Sequence, residues 1–277
     1  MKISRGQTAA VTGAASGIGR ALAMDLARRG CHLALADIDE DGMAATARLA
    51  SASGVRATTT RLDVAERAAV QQWADATVSE SGSVDLVVNN AGAALMASVE
   101  SMSYEDFEWL MGIDFWGVVY GTKSFLPHLK AAGRGHIVNI SSVFGLVGIP
   151  SQSAYNAAKF AVRGFTEALR IELDIERSGV SCSAIHPGGI KTNITRNARI
   201  DGAGDGRPGR TSAELAKTAD RVFLTSPEKA AATILRAVEH DRRRAMVGPD
   251  AALIDMLART GPGLYQRIIG TLSKRLL

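Results

Sequence analysis

Short apolar runs at 7–12, 32–37, 55–61, 84–89, 136–141, 180–186 and 245–248 alternate with longer amphipathic patterns, and this alternation constrains the fold more than any other feature of the chain. Helical patterns fill 17–30, 40–52, 66–80, 103–131, 153–178, 212–223, 227–241 and much of 251–275. Strands separated by helices build βαβ units, which means a parallel sheet with helices on both faces. Right-handed crossovers then predict an α/β, doubly wound sheet of about seven strands with ligands at their carboxyl ends. The chain shows no internal repeat and no interdomain linker, so residues 1–277 are expected to form a single domain. The glycine-rich stretch Asp201–Arg210 is too short to separate two domains and fits a loop, 193–211, that can act as a lid.

The first strand ends in Thr12-Gly13-Ala14-Ala15-Ser16-Gly17-Ile18-Gly19. Gly13, Gly17 and Gly19 let the backbone turn tightly and approach a pyrophosphate, which the N-terminus of the next helix attracts; Ser16 and Ile18 complete the turn. No Gly-Lys-Ser/Thr follows, so this is not a P-loop. It predicts a Rossmann-like dinucleotide site. The second strand ends in Asp37, 18 residues after Gly19. A carboxylate there accepts hydrogen bonds from a ribose 2′-OH and repels a 2′-phosphate. Ala14, Ala15, Ser16 and Ile38 offer no cation to offset it, so NAD is favoured over NADP. The competing reading is that Asp37 only caps helix 40–52.

Tyr155 and Lys159 stand at i and i+4 at the start of a helical run and so share a face. A free phenol has a pKa of ~10. An ammonium ~4 Å away at an effective dielectric of ~20 contributes ~4 kcal/mol, which is roughly three pKa units and brings a tyrosine into working range. Ser142 lies 13 residues earlier, just past a strand end, where its hydroxyl can reach a substrate oxygen; Ser141 beside it could fill either role.

Taken together, these residues resemble the short-chain dehydrogenase/reductases over roughly residues 6–192. The resemblance rests on Thr12–Gly19, Asp63-Val64, Asn89-Asn90-Ala91-Gly92, Ser142, Tyr155/Lys159 and Pro187-Gly188-Gly189-Ile190-Lys191-Thr192. It implies that Tyr155 is the general acid/base, that Lys159 lowers its pKa and binds the nicotinamide ribose, and that Ser142 polarises a carbonyl. It also implies that Asp63 meets the adenine amine with Val64 beside it, that Asn89 lies at the strand end against the adenosine, that Ile190 and Thr192 hold the nicotinamide carboxamide, and that Ala91, Gly92, Pro187 and Gly188 belong to the cofactor site. In the family an Asn stands three residues before a Gly in the long helix ahead of the serine strand, and it supports a water linked to the lysine. Here Ile113-Asp114-Phe115-Trp116-Gly117 puts Asp114 in that position, which keeps an acceptor, loses the amide donor and can add a charge.

The resemblance implies a homotetramer or homodimer and an oxidoreductase that moves hydride between NAD(H) and a secondary alcohol or ketone. An apolar, steroid- or lipid-like substrate is expected. The alternatives are an NADPH-dependent carbonyl reductase and a non-catalytic, cofactor-binding regulator. The histidines show no metal spacing, so no metal is expected. Two cysteines are too few for a disulfide framework and read as reduced core residues. No apolar run reaches the ~18 residues of a membrane span and no signal-peptide core is visible, so a cytoplasmic chain is expected.

Net charge is +4, yet residues 190–277 hold 16 basic and 9 acidic side chains against 16 and 19 in residues 1–189. A basic carboxyl-terminal portion suits a solvated surface or an anionic contact. Arg242-Arg243-Arg244 has no aromatic interleaving, which argues against nucleic acid. The variable segment 251–277 ends in an apolar stripe of Leu264, Tyr265, Ile268, Ile269, Leu272 and Leu276. That stripe could pack on the core or a second subunit, wall the pocket, or touch a membrane surface.

Overall fold

The computed structural model describes residues 1–200, 223–261 and 263–276, with 272–276 described as backbone only. The strands are β1 (Thr8–Thr12), β2 (His32–Asp37), β3 (Ala57–Arg61), β4 (Leu86–Asn89), β5 (Leu95–Met96), β6 (Gly135–Ile140), β7 (Val180–Pro187), β8 (Arg199–Ile200) and β9 (Arg244–Val247). Seven of them form one parallel sheet in the order β3-β2-β1-β4-β6-β7-β9. The order reverses direction between β1 and β4, and this switch point opens the crevice where α/β sheets bind ligands.

The helices are α1 (Gly17–Arg28), α2 (Glu40–Ser51), α3 (Arg67–Ser81), α4 (Tyr104–Met111), α5 (Gly117–Ala131), α6 (Ser153–Glu176), α7 (Pro227–Glu239), α8 (Pro249–Thr260) and α9 (Leu264–Leu276). They cover both faces of the sheet, and the strands are apolar on both sides as a result. Along β2, Leu33 and Leu35 pack with α1 residues Leu22 and Leu26 and α7 residues Ile234 and Leu235. Ala34 and Ala36 point the other way, into the layer of Trp73 from α3, Phe125 from α5 and Leu173 from α6. Trp73 meets Phe125 edge-on at 5.1 Å between ring centres. A fully buried Phe such as Phe125 holds these layers together, since its truncation to Ala typically costs about 3–5 kcal/mol.

Every sheet strand read from the sequence is present to within two residues at each end. Three helical readings are corrected. The run 103–131 is not one helix, because a π-helical turn at Gly112–Trp116 separates α4 from α5. The segment 251–275 is two helices that break at Gly261. The 153–178 run ends at Glu176, where Arg177 adopts a left-handed conformation with φ 53°. The helix read at 212–223 lies outside the described residues except for its last position, Phe223. The loop 193–211 is described only to Ile200, and its described part carries a strand: β8 pairs in parallel with β5 as a small second sheet. Cys31 and Cys182 are free and buried, as expected.

Candidate active site

The glycine turn is built by reciprocal clamping. Gly13 has φ 66°, a conformation that side chains disfavour. Asn90, at the end of β4, donates from Nδ2 to the carbonyls of Thr12 (3.0 Å) and Gly13 (3.2 Å). Thr12 Oγ1 accepts from the N–H groups of Asn90 (2.9 Å) and Ala91 (3.0 Å). A Cβ at Gly19 would stand 2.0 Å from the Gly13 carbonyl oxygen, so only glycine lets α1 start this close to β1. Ser16 is the N-cap of α1 and its side chain caps nothing, which leaves first-turn N–H groups free to meet an anion. This cradle fits the pyrophosphate of a dinucleotide.

Asp37 sits at the shoulder of the turn. Its Oδ2 accepts from Ala15 N at 2.8 Å and its Oδ1 from Asp39 N at 3.0 Å. Asp39, not Asp37, caps α2, through a bond from Gly42 N at 3.0 Å. The capping alternative for Asp37 is therefore removed. Two arginines that the sequence reading did not weigh stand on neighbouring elements. Arg61 is the β3 partner of Asp37 in register and pairs with Glu40 at 3.4 Å. Arg20, one residue past Gly19, donates to the carbonyls of Ala15 and Gly42 and to Thr46 Oγ1.

The second half of the site forms where β6 ends and α6 begins. Ser142 opens a single 3₁₀ turn (Val143–Gly145) and its Oγ accepts from Phe144 N at 3.1 Å. Ser141 is committed elsewhere: its hydroxyl donates to the Lys159 carbonyl at 2.8 Å. Of the two serines, Ser142 is the one whose hydroxyl acts on the Tyr155 phenol, favouring its ionised form. Tyr155 lies in the first turn of α6 with Phe144 edge-on at 5.8 Å. Lys159, one turn further, places Nζ 5.4 Å from the Tyr155 ring centre and 3.2 Å from the Ile140 carbonyl.

Asp114 completes the cluster. The π-helical turn swings its carboxylate inward until Oδ2 lies 3.0 Å from Lys159 Nζ, with both groups buried. Its Oδ1 accepts from Ala93 N at 2.7 Å. Burial raises the Asp114 carboxyl above the usual carboxylate range, against the pull of Lys159 and the Ala93 N–H. Burial lowers Lys159, but Asp114 and then Tyr155 outweigh it and hold the ammonium above its ordinary value. The Tyr155 phenol is raised, first by burial and further by Asp114, while Lys159 and the Ser142 hydrogen bond oppose. A lysine that brings the phenol below its ordinary value was expected from the sequence. The lysine acts in that direction here, but burial and the carboxylate beside it outweigh its field.

Around these groups stand residues that spacing alone did not single out. Asn156 pins the 144–149 loop to α6, donating to the carbonyls of Phe144 (2.7 Å) and Val147 (2.8 Å) and accepting from Ile149 N (3.0 Å). His186, which burial lowers to about 4, contacts the Ser142 carbonyl through Nδ1 at 3.1 Å. Beyond β7, Asp250 Oδ2 accepts from Gly189 N at 2.6 Å, and Gly188 N donates to the Val247 carbonyl at 2.9 Å. These bonds hold the strand end Pro187-Gly188, from which the chain runs by buried Ile190 to Thr192, whose methyl faces Gly17 in the turn. Arg199 lies over the Trp109 ring at 3.5 Å and bonds Asp106 at 3.1 Å, tying β8 to α4.

The remaining expected residues divide. Ala91 and Gly92 lead from the clamp toward Asp114 and Lys159; a Cβ on Gly92 would stand 3.4 Å from the Asp114 carboxylate. Asp63 is exposed and its Oδ1 accepts from Ala65 N, while Val64 is buried beneath Gly117. Asn89 ends β4, and its buried side chain donates to Asn139 Oδ1 (2.8 Å) and Thr122 Oγ1 (3.2 Å). It ties β4 to β6 and α5.

A glycine turn at the switch point, facing a Ser-Tyr-Lys cluster at the ends of β6 and α6, defines an oxidoreductase of the short-chain dehydrogenase class, and the chain belongs to that family. The family model for short chain dehydrogenases matches residues 7–203. Among relatives, SadH of Mycobacterium tuberculosis, named only as an oxidoreductase, is 51% identical over 269 residues, covering 97% of this chain and 96% of its own. A 3-alpha-(or 20-beta)-hydroxysteroid dehydrogenase of the same species is 36% identical over 191 residues, covering 69% of this chain and 71% of its own. A short-chain dehydrogenase/reductase from Burkholderia phymatum, solved in complex with NAD, is 32% identical with a TM-score of 0.84, covering 93% of this chain and 94% of its own.

Proposed function

We propose that this chain is an NAD-dependent oxidoreductase that interconverts an apolar secondary alcohol and its ketone. The observation that carries the reading is the meeting of Ser142, Tyr155 and Lys159 beside a glycine turn whose shoulder is Asp37. A nicotinamide dinucleotide, when bound, accepts or supplies the hydride. The turn and the α1 N-terminus would hold its pyrophosphate, Asp37 its adenosine ribose, Lys159 its nicotinamide ribose, and Ile190 and Thr192 its carboxamide. Asp63 and Val64 would flank the adenine.

In the oxidative direction the alcohol O–H proton passes to the Tyr155 phenolate as hydride leaves the carbinol carbon. In the reductive direction Tyr155 returns that proton to the carbonyl oxygen, and Ser142 donates a hydrogen bond to the same oxygen. The apolar group of Leu95, Ala97, Leu110 and Ala154, with Met102 and Trp109 packed on it, adjoins Tyr155 and suits an apolar substrate. The hydroxysteroid dehydrogenase relative supports the same substrate class.

The second reading is NADPH-dependent carbonyl reduction, favoured by one observation: Arg61 lies beside Asp37 in register, where a guanidinium could meet a 2′-phosphate. A screen of reduced-nicotinamide absorbance, with NAD and NADP each tested against secondary alcohols, hydroxysteroids and ketones, separates the two. Turnover with NADP alone would sink the first reading, and no turnover across the panel would point to a cofactor-binding regulator.

We further read the chain as one domain, 1–277, that works in the cytoplasm. No described helix is long and apolar enough to cross a membrane. Recovery in the membrane pellet on cell fractionation would contradict that location.

A further inference from the structure

We propose that Asp114 is a positioning residue for proton transfer, whose carboxylate against Lys159 cancels much of the ammonium's field at Tyr155 and keeps the phenol protonated through neutral pH. This inference rests on the proposed role of Tyr155 as acid and base, and it assigns the two directions different working ranges. Carbonyl reduction, which needs the phenol, runs at neutral pH. Alcohol oxidation, which needs the phenolate, starts only in alkaline solution.

The geometry carries the argument. Asp114 Oδ2 is 3.0 Å from Lys159 Nζ, in direct contact without an intervening water. Both side chains are buried, so solvent screens little of their interaction. The charged and polar groups facing the cluster are few. Ala93 N–H from the β4–β5 segment faces Asp114, and the Ile140 carbonyl from β6 faces Lys159. Ser142 and Lys159 face Tyr155. On the far side His186 meets the Ser142 carbonyl, has Arg244, Arg163 and Glu167 acting on it, and is neutral above about pH 4. Among the described residues, Lys159 is the cation at this cluster and Asp114, whose ionised form Lys159 and the Ala93 N–H favour against burial, is the anion that answers it.

An amide at this position would accept from Ala93 N–H equally well and would leave Lys159 uncompensated. The carboxylate fixes the ammonium's place and charge, but it makes the Lys-Asp pair close to neutral as seen from the phenol. Asp114 stands in the middle of the π-helical turn Gly112–Trp116, and its buried carboxylate reaches Lys159 from there.

The test is an ultraviolet titration of the Tyr155 phenolate in the cofactor-free protein, isolated from Tyr104, Tyr120 and Tyr265 by subtracting Tyr155→Phe. Asp114→Asn is expected to move that titration toward acid by about one pH unit or more. The lower limb of the kcat/KM profile for alcohol oxidation should move with it. Asp114→Ser, also uncharged and still an acceptor, should shift it in the same sense if Asp114→Asn folds poorly. Superimposable titrations of wild type and a folded variant would overturn the proposal. So would a Tyr155 phenolate already formed below about pH 8 in the wild type, a reading that needs no variant. Because the titration involves no turnover, failure to find hydride transfer would count against the proposed function and leave this result standing.

Discussion

Asp37 holds two backbone N–H groups, Ala15 and Asp39, and still presents its carboxylate at the lip of the turn. A hydrogen bond from a ribose hydroxyl to a charged acceptor is worth about 1.5–3 kcal/mol. Asp37→Ala is therefore expected to weaken NAD binding on the order of tenfold to a hundredfold and to narrow the gap to NADP. Fluorescence titration of both nucleotides checks this, and a wild type that already binds NADP more tightly would contradict the cofactor reading. Residues such as Tyr155, Lys159 and Ser142 were legible because helical spacing and a strand end fix their neighbours. Arg61 was not, because its closeness to Asp37 exists only through the β2–β3 register. The side-chain direction of Asn89 was not legible for a related reason. Its place in the motif is sequential, but the side of the strand it faces is decided by Thr122 and Asn139.

At the scale of elements, the sheet is joined at its amino-terminal end by a polar cluster that runs from buried His136 to exposed Asp241. His136 of β6 is fully buried, with Nε2 2.8 Å from Ser183 Oγ of β7. Asp241, ahead of β9, binds Arg170 of α6 through both carboxylate oxygens at 2.8 and 2.7 Å. Burial lowers His136 to about 3, with Asp241 opposing. A free histidine titrates near 6.5, so between there and about 3 the unfolded chain binds a proton that the folded chain refuses. The His136 contribution to stability is thus complete above pH 6.5 and is lost as pH falls toward 3. Urea unfolding across that range should show this decline, with His186 adding to it above about pH 4. In His136→Gln the protein should be less stable at pH 7, by about 1–3 kcal/mol, but should lose stability less steeply on acidification. Equal slopes in the two proteins would contradict the assignment. Central strands such as β1, β4, β6 and β7 were legible because both-face burial makes them largely continuous apolar runs, and edge strand β3 was legible from its β-branched run Thr58-Thr59-Thr60. β5 and β8, two residues each, have no period to read. The π-helical turn was hidden for the opposite reason, since one widened turn hardly disturbs a long helical pattern.

For the whole molecule, one of the places where apolar surface is left uncovered is the outer side of α6. Phe160, Ile171 and Ile175 of α6 are 41%, 57% and 76% exposed, and Trp116 at the head of α5 is 46% exposed. A stripe of this kind on the longest helix is the mark of an interface, and a two-fold partner presenting the same stripe would cover it. A homodimer or homotetramer is expected by light scattering at micromolar concentration. Ile171→Glu together with Ile175→Glu should lower the mass while the fold remains, and a monomeric wild type would contradict the reading. The segment 251–277 is described as α8 and α9, with Tyr265 Oη 3.5 Å from Gly148 N beside the Ser142 loop. That contact brings Tyr265 beside the loop that follows Ser142, a placement that no periodicity could supply.

The central claim is that Tyr155 moves the proton while hydride passes to or from a nicotinamide ring. The most direct measurement is kcat for the best secondary alcohol with saturating NAD, in the wild type and in Tyr155→Phe, alongside NAD affinity in both. The account predicts a loss of 10²–10⁴-fold in turnover with NAD affinity nearly unchanged. Turnover of Tyr155→Phe within a few-fold of the wild type would contradict it.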